Sequence, residues 1–500
     1  MENIVKKIDQ VAAKLPDKVA YNYLGEKTTY KELLDRANAW ADLLSSKVAP
    51  KEPVMVWGGQ QVDMLASFLG CTKSGHAYVP IVNYSNAERI ELVREVSASK
   101  TIIAITPLPD VDLTGLTVIT PDQVGQSGQV NEADYVTGDE NYYILCTSGT
   151  TGKPKGVQIS HDNLVSYLNW ELSDFGLPES PRFLAQAPFS FDVSVMSIYP
   201  ALLLGGEIDV LPHEVTQNFG ELFKTLPQMN FDVWVSTPSF AQMCFLDRTF
   251  DAAHHPDLGL FLFCGEELPH KEVDMLYKRF PDSRIFNTYG PTETTVAVTQ
   301  VEITKDILEK YDRLPIGYVK EDTKITVDHS KGDDEKSGEM IISGPSVSKA
   351  YINNPEKTAE AFFKNDEGVQ SYRTGDIGYY EGNLLFYKGR IGFQIKFNGY
   401  RIELEEINVY MNKNELVAHG VAAPIYSKDH TVKQIVGVVE LKEGVARKFD
   451  EGEITKQIRE GLQKDVMPYM VPQRFIYKDK LPISQNGKVD IKAVIQEVNK

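Results

Sequence analysis

Residues 142–156 read YYILCTSGTTGKPKG, an apolar run followed by a loop of small hydroxylated residues, glycines and two lysines. The apolar run is typical of a buried strand. Glycines let backbone N–H groups approach phosphate oxygens, hydroxyls add donors and lysines add charge, so the loop fits a phosphate group, although alone it could also be an ordinary turn. It is not a Walker A loop, since that pattern needs glycine at position 147 and serine or threonine at position 154. The stretch therefore predicts a strand that ends in a nucleotide-binding loop.

The flanking sequence alternates short apolar runs with amphipathic segments over the first 290 residues, which is typical of an α/β fold with a parallel sheet. Ser160 is placed to cap the helix that follows the loop. Residues 294–343 predict a small β subdomain, with an exposed hairpin loop at 331–338. A final unit of about a hundred residues is again α/β. The predicted strands are 54–57, 77–82, 101–105, 142–146, 233–236, 260–264 and 284–287, and the predicted helices are 63–73 and 87–97.

Composition limits the classes of function. The chain has 500 residues, 42% hydrophobic and 24% charged, which predicts a soluble protein of at least two domains. A net charge of −18 disfavours nucleic acid as a partner. The charged start and the absence of a long apolar run predict a cytoplasmic protein without membrane insertion. The cysteines lie far apart without a CxxC pair, which argues against disulfides and structural zinc; they are Cys71, Cys146, Cys244 and Cys264.

Four more segments carry polar groups: NTYGPTE (287–293), YRTGD (372–376), YKGR (387–390) and NGKVD (486–490). With the loop at 147–156, and in this order, they resemble the signature motifs of the adenylate-forming enzymes. That family includes acyl-CoA synthetases, luciferases and the adenylation domains of peptide synthetases, and the resemblance covers essentially the whole chain. It implies an α/β fold with a large N-terminal domain (1–390) of two α/β subdomains and a small β subdomain, followed by a small, mobile α+β domain (391–500).

The resemblance implies that the chain binds ATP and Mg²⁺. These enzymes join a carboxylate to the α-phosphorus of ATP while pyrophosphate leaves, so cations and N–H donors must hold negative charge around that phosphorus. Glu293 is implied as a catalytic residue that holds Mg²⁺, a hard cation suited to carboxylate oxygens. Asp376 would accept both ribose hydroxyls through its two oxygens. The implied nucleotide contacts are Thr147, Ser148, Gly149, Thr150, Thr151, Lys155, Asn287, Thr288, Tyr289, Gly290, Pro291, Thr292, Asp376, Tyr387, Lys388, Gly389, Arg390 and Lys488.

Lys488 is implied as the second catalytic residue. It follows Asn-Gly, which alone would indicate a surface hairpin. In the family the corresponding lysine enters the active site on the small domain and bridges the substrate carboxylate and a phosphate. A second half-reaction on the same site requires that domain to turn, so we expect a hinge near Arg390. The usual Gly-Arg-x-Asp reads Gly389-Arg390-Ile391-Gly392 here, which removes the hinge carboxylate and predicts a looser hinge.

The substrate is indicated by FDVS at 191–194, which follows an apolar strand and places Asp192 in the implied acyl pocket. In members that use amino acids the matching aspartate binds the α-ammonium group, whereas a fatty-acid pocket has no use for a desolvated charge. Helix capping is the other reading of Asp192. Further segments resemble the members that activate D-alanine for teichoic acid D-alanylation, in which Cys264 and Val296 wall a small pocket around the methyl group and Lys488 reaches the carboxylate. They are GHAYVP (75–80), FCGE (263–266), TVAV (295–298) and NGYRIELEE (398–406).

The acceptor implied by the resemblance is the phosphopantetheine thiol of a D-alanyl carrier protein. Few residues follow Lys488 and the chain has no Gly-x-Asp-Ser attachment motif, so we expect the carrier in trans. Residues 390–500 carry 18 Lys and Arg against 15 Asp and Glu, on a chain that is acidic as a whole. This slightly basic part is where an acidic carrier would dock.

Three other functions remain open on the sequence. The chain could be a stand-alone ligase for another small amino acid. It could be a medium-chain acyl-CoA synthetase, which Asp192 disfavours. It could also be an inactive sensor that binds ATP or an adenylate, which the intact Glu293, Asp376 and Lys488 disfavour.

Overall fold

The computed structural model describes residues 1–149, 153–332, 334–483 and 489–500, except for the side chain of Arg447. Up to residue 319, helices and strands alternate. The helices are α1 (Ile4–Lys14), α2 (Tyr30–Lys47), α3 (Val62–Lys73), α4 (Ala87–Ser97), α5 (His161–Asp174), α6 (Val195–Leu203), α7 (His213–Thr216), α8 (Phe219–Thr225), α9 (Pro238–Cys244), α10 (His270–Arg279) and α11 (Lys305–Lys310). The strands are β1 (Val19–Tyr23), β2 (Glu26–Thr29), β3 (Val54–Gly58), β4 (Tyr78–Val82), β5 (Thr101–Ala104), β6 (Thr117–Ile119), β7 (Asn141–Thr147), β8 (Lys155–Ser160), β9 (Arg182–Ala185), β10 (Glu207–Val210), β11 (Val233–Ser236), β12 (Leu260–Phe263), β13 (Arg284–Tyr289), β14 (Thr299–Glu302) and β15 (Tyr318–Val319).

These strands form two sheets. One has the order β6-β5-β3-β4-β7-β8 and the other the order β15-β14-β13-β12-β11-β9-β10-β1-β2. Both sheets are parallel in their centres. Antiparallel pairs extend them at the edges: β7 with β8, β1 with β2, β13 with β14, and β14 with β15. The predicted α/β class with parallel sheets is confirmed, and the predicted strands and helices lie within two residues of the observed ones.

The two sheets share one hydrophobic core. Strands β3 and β4 are buried along their whole length, as expected for parallel strands whose two faces are both covered. Helices α2 and α3 pack closely because Gly70 has no side chain: a Cβ there would lie 2.4 Å from the Cβ of Trp40. Ser160 caps α5 in a capping box with Asn163, as predicted.

The small β subdomain begins later than predicted. Strands β14 and β15 continue the nine-stranded sheet, so the prediction is wrong for residues 294–319. The reason is that short antiparallel edge strands have the same sequence pattern as the strands of a separate small sheet. The separate sheet starts at residue 324, and the predicted loop at 331–338 does connect its first two strands. Its elements are β16 (Lys324–Asp328), β17 (Gly338–Ser343), α12 (Pro355–Ala361), β18 (Phe362–Lys364), β19 (Gln370–Glu381) and β20 (Leu384–Arg390).

We call residues 1–390 the body and residues 391–500 the small unit. In the small unit, α16 covers one face of a three-stranded sheet, and α13 and α15 cover the other. A separate two-stranded hairpin, residues 394–403, reaches into the body. The elements are β21 (Gln394–Phe397), β22 (Tyr400–Glu403), α13 (Leu404–Lys413), β23 (Val417–Tyr426), β24 (Val432–Leu441), α14 (Val445–Lys448), α15 (Glu451–Asp465), β25 (Arg474–Lys478) and α16 (Ile491–Val498). No helix in the described ranges combines the length with the apolar character that a bilayer-spanning segment needs.

Candidate active site

A cavity opens at the carboxyl ends of the parallel strands, where ligands bind in open α/β sheets. Its wall includes Val82 at the end of β4, Thr147 at the end of β7, Asp192 beyond β9, Cys264 after β12 and Gly290 after β13. The small unit closes the cavity with residues of the hairpin and of the segment before β25. The topology therefore brings residues from five distant parts of the sequence to one place.

The phosphate loop faces this cavity and contacts the small unit. Thr147 and Ser148 line the cavity. The Ser148 hydroxyl donates to the carbonyl oxygen of Arg401 (2.7 Å), and the Gly149 N–H donates to Glu406 Oε2 (3.3 Å). Burial raises the pKa of Glu406 to about 7. Two of the predicted contacts, Thr150 and Thr151, lie outside the described residues.

Glu293 is fully buried and carries two hydrogen bonds. Tyr351 Oη donates to Oε1 (2.8 Å), and Arg401 Nη1 donates to Oε2 (2.7 Å). Burial alone would raise the pKa of Glu293, but the charges of Arg401 and Lys155 lower the pKa to about 2. Lys155 has its ammonium nitrogen 5.3 Å from the centre of the Tyr351 ring, and burial together with the charge of Arg401 lowers its pKa. Glu293 is therefore an ionised carboxylate among cations.

The donor chemistry of Glu293 fits Mg²⁺, since the carboxylate is ionised and hard oxygen ligands suit that cation. The guanidinium group of Arg401 occupies Oε2 of this carboxylate. Arg401 belongs to the small unit and is not among the residues predicted for the site. A change in the position of the small unit would free this carboxylate oxygen for another cation.

The predicted ribose residue Asp376 is buried in the same cavity wall. Tyr289 Oη donates to Oδ2 and Arg390 Nη1 donates to Oδ1, both at 2.7 Å. Asp376 and Arg390 face each other across β19 and β20. Each carboxylate oxygen keeps a second lone pair, so the group can still accept a hydroxyl from a ligand.

The side chains of the segment 287–293 form two groups, one that lines the cavity and one that lies behind its wall. Gly290, Pro291 and Thr292 line the cavity. Asn287 and Thr288 are buried and donate to the main-chain carbonyls of Pro315 (2.7 Å) and of Phe263 in the neighbouring β12 (2.8 Å). They also border a smaller adjoining pocket. The structure thus brings the second half of this motif into the cavity and uses the first half to build the wall behind it.

In the segment 387–390, too, only some of the residues line the cavity. Arg390 lines the cavity and Tyr387 borders the adjoining pocket. The ammonium group of Lys388 donates to Asp334 Oδ2 (2.9 Å) and Ser337 Oγ (3.2 Å) in the loop between β16 and β17. Gly389 lies in a cleft between the body and the small unit. The ammonium group of Lys388 is therefore not brought to Asp376.

Asp192 and Cys264 meet in the predicted acyl pocket. Burial raises the pKa of Asp192, against the hydrogen bond from Thr292 and the charge of Lys396. Burial and the nearby charge of Asp192 raise the pKa of the Cys264 thiol to about 11, so the thiol stays neutral. No side chain makes a capping hydrogen bond at the turn that Asp192 begins, so the helix-capping reading finds no support.

Val296 lies behind Cys264 in a strained turn. Its carbonyl oxygen is 3.9 Å from Cys264 Sγ, and the side chain is buried. Both Thr295 (φ 59°) and Val296 (φ 65°) have left-handed backbones, which β-branched residues rarely adopt. The Ala297 N–H donates to the Thr295 carbonyl (2.8 Å), which closes the rarer type of γ-turn around Val296. Such conformations cost about 1–3 kcal/mol each and cluster at functional sites.

The 394–403 hairpin inserts its tip between the walls of the site. Asn398 (φ 51°) and Gly399 (φ 82°) form the two-residue turn that Asn-Gly favours. The Gly399 N–H donates to Glu266 Oε1 (2.7 Å). The ring of Tyr400 stands edge to face on Phe191, with centroids 4.7 Å apart. Sequence reasoning missed this insertion, although Asn-Gly between two alternating runs is itself a hairpin signal.

Lys488 lies outside the described residues. On either side of it, Leu481 and Val489 pack on the α16 side of the small unit's sheet. A lysine that sequence reasoning missed, Lys396 of the hairpin, lines the cavity, with Nζ 5.5 Å from the centre of the Tyr289 ring.

These features are those of an enzyme that binds a nucleotide at the carboxyl ends of a sheet, and the chain belongs to the AMP-binding enzyme family, whose model matches residues 8–352. It is 50% identical over 513 aligned residues to the D-alanine--D-alanyl carrier protein ligase of Lactiplantibacillus plantarum, covering 100% of this chain and 99% of that protein. It is 45% identical to the protein of the same name from Streptococcus pyogenes, with the same coverage.

Solved structures confirm the predicted fold. The Vibrio cholerae adenylation domain AlmE, solved in complex with glycyl-adenosine-5'-phosphate, aligns with a TM-score of 0.83 at 24% identity, covering 99% of this chain and 97% of that one. The o-succinylbenzoate CoA synthetase of Bacillus subtilis aligns with a TM-score of 0.82 at 18% identity, covering 99% and 98%. At these identities the likeness concerns the fold alone.

Proposed function

We propose that this chain activates D-alanine with ATP to form D-alanyl-AMP and pyrophosphate, and then transfers the D-alanyl group to the phosphopantetheine thiol of a separate carrier protein. The observation that carries the proposal is the identity of 45–50% with D-alanine--D-alanyl carrier protein ligases over the whole chain. The chemistry of the cavity agrees with it, because one wall holds a carboxylate beside a small apolar recess and another holds cations.

Asp192 would bind the ammonium group of the amino acid. A carboxylate in the cavity wall whose pKa is raised by burial lacks a strong cationic partner, and an ammonium group supplies one. The nearby Thr292 hydroxyl, which opposes the rise in the pKa of this carboxylate, would help to orient it. This favours an amino acid over a fatty acid as the substrate.

Cys264 and Val296 would limit the size of the substrate side chain. Cys264 forms cavity wall and Val296 supports it from behind. One methyl group is worth only about 1–3 kcal/mol of binding, so this recess should exclude larger side chains more readily than glycine. The selection of D- over L-alanine would depend on the Cys264 side of the pocket.

The nucleotide would lie between the phosphate loop and Asp376. Thr147, Ser148 and Lys155 supply donors and charge to the phosphates, and Asp376 supplies acceptors to the ribose. Glu293 would hold Mg²⁺, which when bound would neutralise phosphate charge as pyrophosphate leaves. Lys488 would contribute its charge to the adenylation step by bridging the substrate carboxylate and the α-phosphate.

The two half-reactions would use two positions of a mobile domain, residues 391–500, on a fixed domain, residues 1–390. The arrangement with the inserted hairpin would serve transfer, and a turn of the small unit would bring Lys488 in for adenylation. Gly392 fits a hinge: it is exposed, and its φ of 92° would strain the aspartate that the family usually has there. A glycine two residues after Arg390 thus suits the chain in this position.

The acceptor would be a cytoplasmic carrier protein, and the pathway would be teichoic acid D-alanylation. The relatives are named D-alanine--D-alanyl carrier protein ligases, and this name gives a D-alanyl carrier protein as the acceptor. The slightly basic small unit, with 18 Lys and Arg against 15 Asp and Glu in residues 390–500, would attract an acidic carrier.

A pyrophosphate-exchange screen tests the proposal. We expect exchange with D-alanine to exceed that with L-alanine, glycine and serine, and loading of a phosphopantetheinylated carrier to follow. Preference for glycine or serine would indicate a ligase for another small amino acid. Turnover with a medium-chain fatty acid and CoA would indicate an acyl-CoA synthetase, and lack of any turnover would indicate a sensor.

A further inference from the structure

We propose that Glu266 is a positioning residue that holds the 394–403 hairpin in the site for the transfer to the acceptor thiol. This role rests on the proposed function, because it concerns the second of the two half-reactions. Glu266 follows Cys264 and Gly265 directly, so its backbone is fixed in the wall of the acyl pocket. Sequence reasoning gave this glutamate no role of its own.

The two carboxylate oxygens of Glu266 face two different parts of the molecule. Oε2 accepts from the N–H (3.1 Å) and the hydroxyl of Ser239 at the start of α9, which fixes the side chain on the body. Oε1 accepts from the N–H of Gly399 at the tip of the hairpin (2.7 Å). Hydrogen bonds to a charged acceptor are roughly twice as strong as neutral ones. Glu266 is therefore a fixed acceptor aimed at a movable donor.

The hairpin tip fits closely against the body at this point. A Cβ added to Gly399 would lie 2.7 Å from Thr237 Cγ2 and 3.6 Å from Thr237 Cβ. The hydrogen bond from the Gly399 N–H to Glu266 is itself partly buried, so water competes for it less than at a fully exposed site. Loss of the carboxylate would leave a donor without a partner, and this penalty opposes docking of the hairpin.

The docked hairpin forms one wall of a passage beside the acyl pocket. This passage is bounded by Thr237 and Ser239 on the body and by Gly399 and Tyr400 on the hairpin. It shares Phe191 with the acyl cavity and also includes Phe219, which is exposed. A thiol arm that enters here needs the hairpin in place, since the wall exists only while the tip is docked. Adenylation, which uses Lys488 in the other position, does not need this contact.

A second bridge between the body and the small unit provides a matched control. Lys271 on α10 pairs with Asp429 on the small unit (2.7 Å), and both side chains are largely exposed. Exposed ion pairs contribute little. Asp429→Asn therefore removes a bridge between the same two parts without touching the hairpin.

The test compares the half-reactions in Glu266→Gln, which keeps the shape of the side chain, with Glu266→Ala and Asp429→Asn. We expect single-turnover transfer from preformed D-alanyl-AMP to fall about tenfold to a hundredfold in both Glu266 variants, while pyrophosphate exchange stays within about twofold of wild type. Hydrogen exchange of the amides in 394–403 should become faster in the Glu266 variants. Asp429→Asn should resemble wild type in all three measurements.

A size exchange at the tip tests the same contact independently. Gly399→Ala should slow transfer because its Cβ meets Thr237 Cγ2, and Thr237→Ser, which removes that methyl group, should restore part of the rate. Equal loss of both half-reactions in Glu266→Gln, or unchanged exchange of the hairpin amides, would overturn the role of Glu266. Wild-type protein without D-alanine-dependent exchange would instead refute the proposed function.

Discussion

Arg401 and Glu293 form a buried ion pair that joins the small unit to the body. Removal of one partner of such a pair typically costs about 3–5 kcal/mol, because the remaining charge is left in a poor solvent. Glu293 would therefore need another cation in any position of the small unit that removed Arg401. Lys155 is close, but burial and Arg401 already lower its pKa. If the small unit turns as proposed, this carboxylate would exchange one cation for another.

Asp192→Asn should weaken the binding of D-alanine, because the amide has no charge to pair with the ammonium group. We expect the KM for D-alanine in pyrophosphate exchange to rise about a hundredfold, as for other desolvated charge pairs, with a smaller effect on the KM for ATP. Asp174→Asn, on the exposed end of α5, is the matched control. An unchanged KM for D-alanine would remove Asp192 from the substrate site.

The pH dependence of D-alanine use should reflect the same residue. Burial raises the pKa of Asp192, and only the ionised carboxylate binds an ammonium group. Therefore kcat/KM for D-alanine should fall as pH decreases through that raised pKa and should level off above it. Profiles of exchange rate against pH at low D-alanine check this. The Asp192→Asn variant should lack this step, and an identical profile in the variant would assign it to another group.

Lys488→Ala should slow adenylation and spare transfer, whereas the Glu266 variants should slow transfer and spare adenylation. Without the ammonium group, charge at the α-phosphate is not stabilised, so adenylation should fall by about two to three orders of magnitude. Transfer from preformed adenylate should stay close to wild type. Rapid-quench measurement of each step makes the comparison, and equal losses in both steps would refute the assignment.

The hairpin is the element that would distinguish the two proposed positions of the small unit. Its strands are short and its tip is a two-residue turn, so it is a stiff insert in contact with Glu266, Phe191 and Glu293. An insert of this kind is either in the site or out of it.

A disulfide between Thr237→Cys and Gly399→Cys should lock the hairpin in the site. A Cβ added to Gly399 would lie 3.6 Å from the Cβ of Thr237, within the range of disulfides. The oxidised protein should transfer preformed D-alanyl-AMP but should not carry out pyrophosphate exchange, and a reductant should restore the exchange. Each single cysteine variant serves as the control. Full exchange in the oxidised protein would show that adenylation does not require the hairpin to leave.

Considered as a whole, the molecule is predictable from sequence where the signal is local. The parallel strands follow from runs such as those of β3 and β4, and the phosphate loop from a short motif. Asp192, Cys264 and Asp376 required a resemblance to a family, because a lone aspartate or cysteine has no local signal. The pair of Glu293 with Arg401 could not be predicted, since it joins residues 108 positions apart and depends on how the small unit lies on the body. The same holds for Glu266 and Gly399.

The charge distribution over the whole molecule predicts the salt dependence of carrier loading. Substituting glutamine for exposed lysines of the small unit, such as Lys428, Lys433 and Lys448, should lower the second-order rate and make it less sensitive to salt. Lys331→Gln with Lys336→Gln, in the exposed loop of the body, is the control. Stopped-flow loading at several ionic strengths provides the measurement. A salt profile that does not change would exclude the small unit as the docking surface.

The γ-turn at Thr295 and Val296 has a consequence for redesign of the enzyme. Trimming a buried valine to glycine in an ordinary core loses apolar contact and lowers the melting temperature. Here glycine would also relieve the backbone strain of a valine at φ 65°, so part of the lost stability would be regained. Variants at position 296 that admit bulkier amino acids should consequently melt closer to the parent protein than their cavity size suggests.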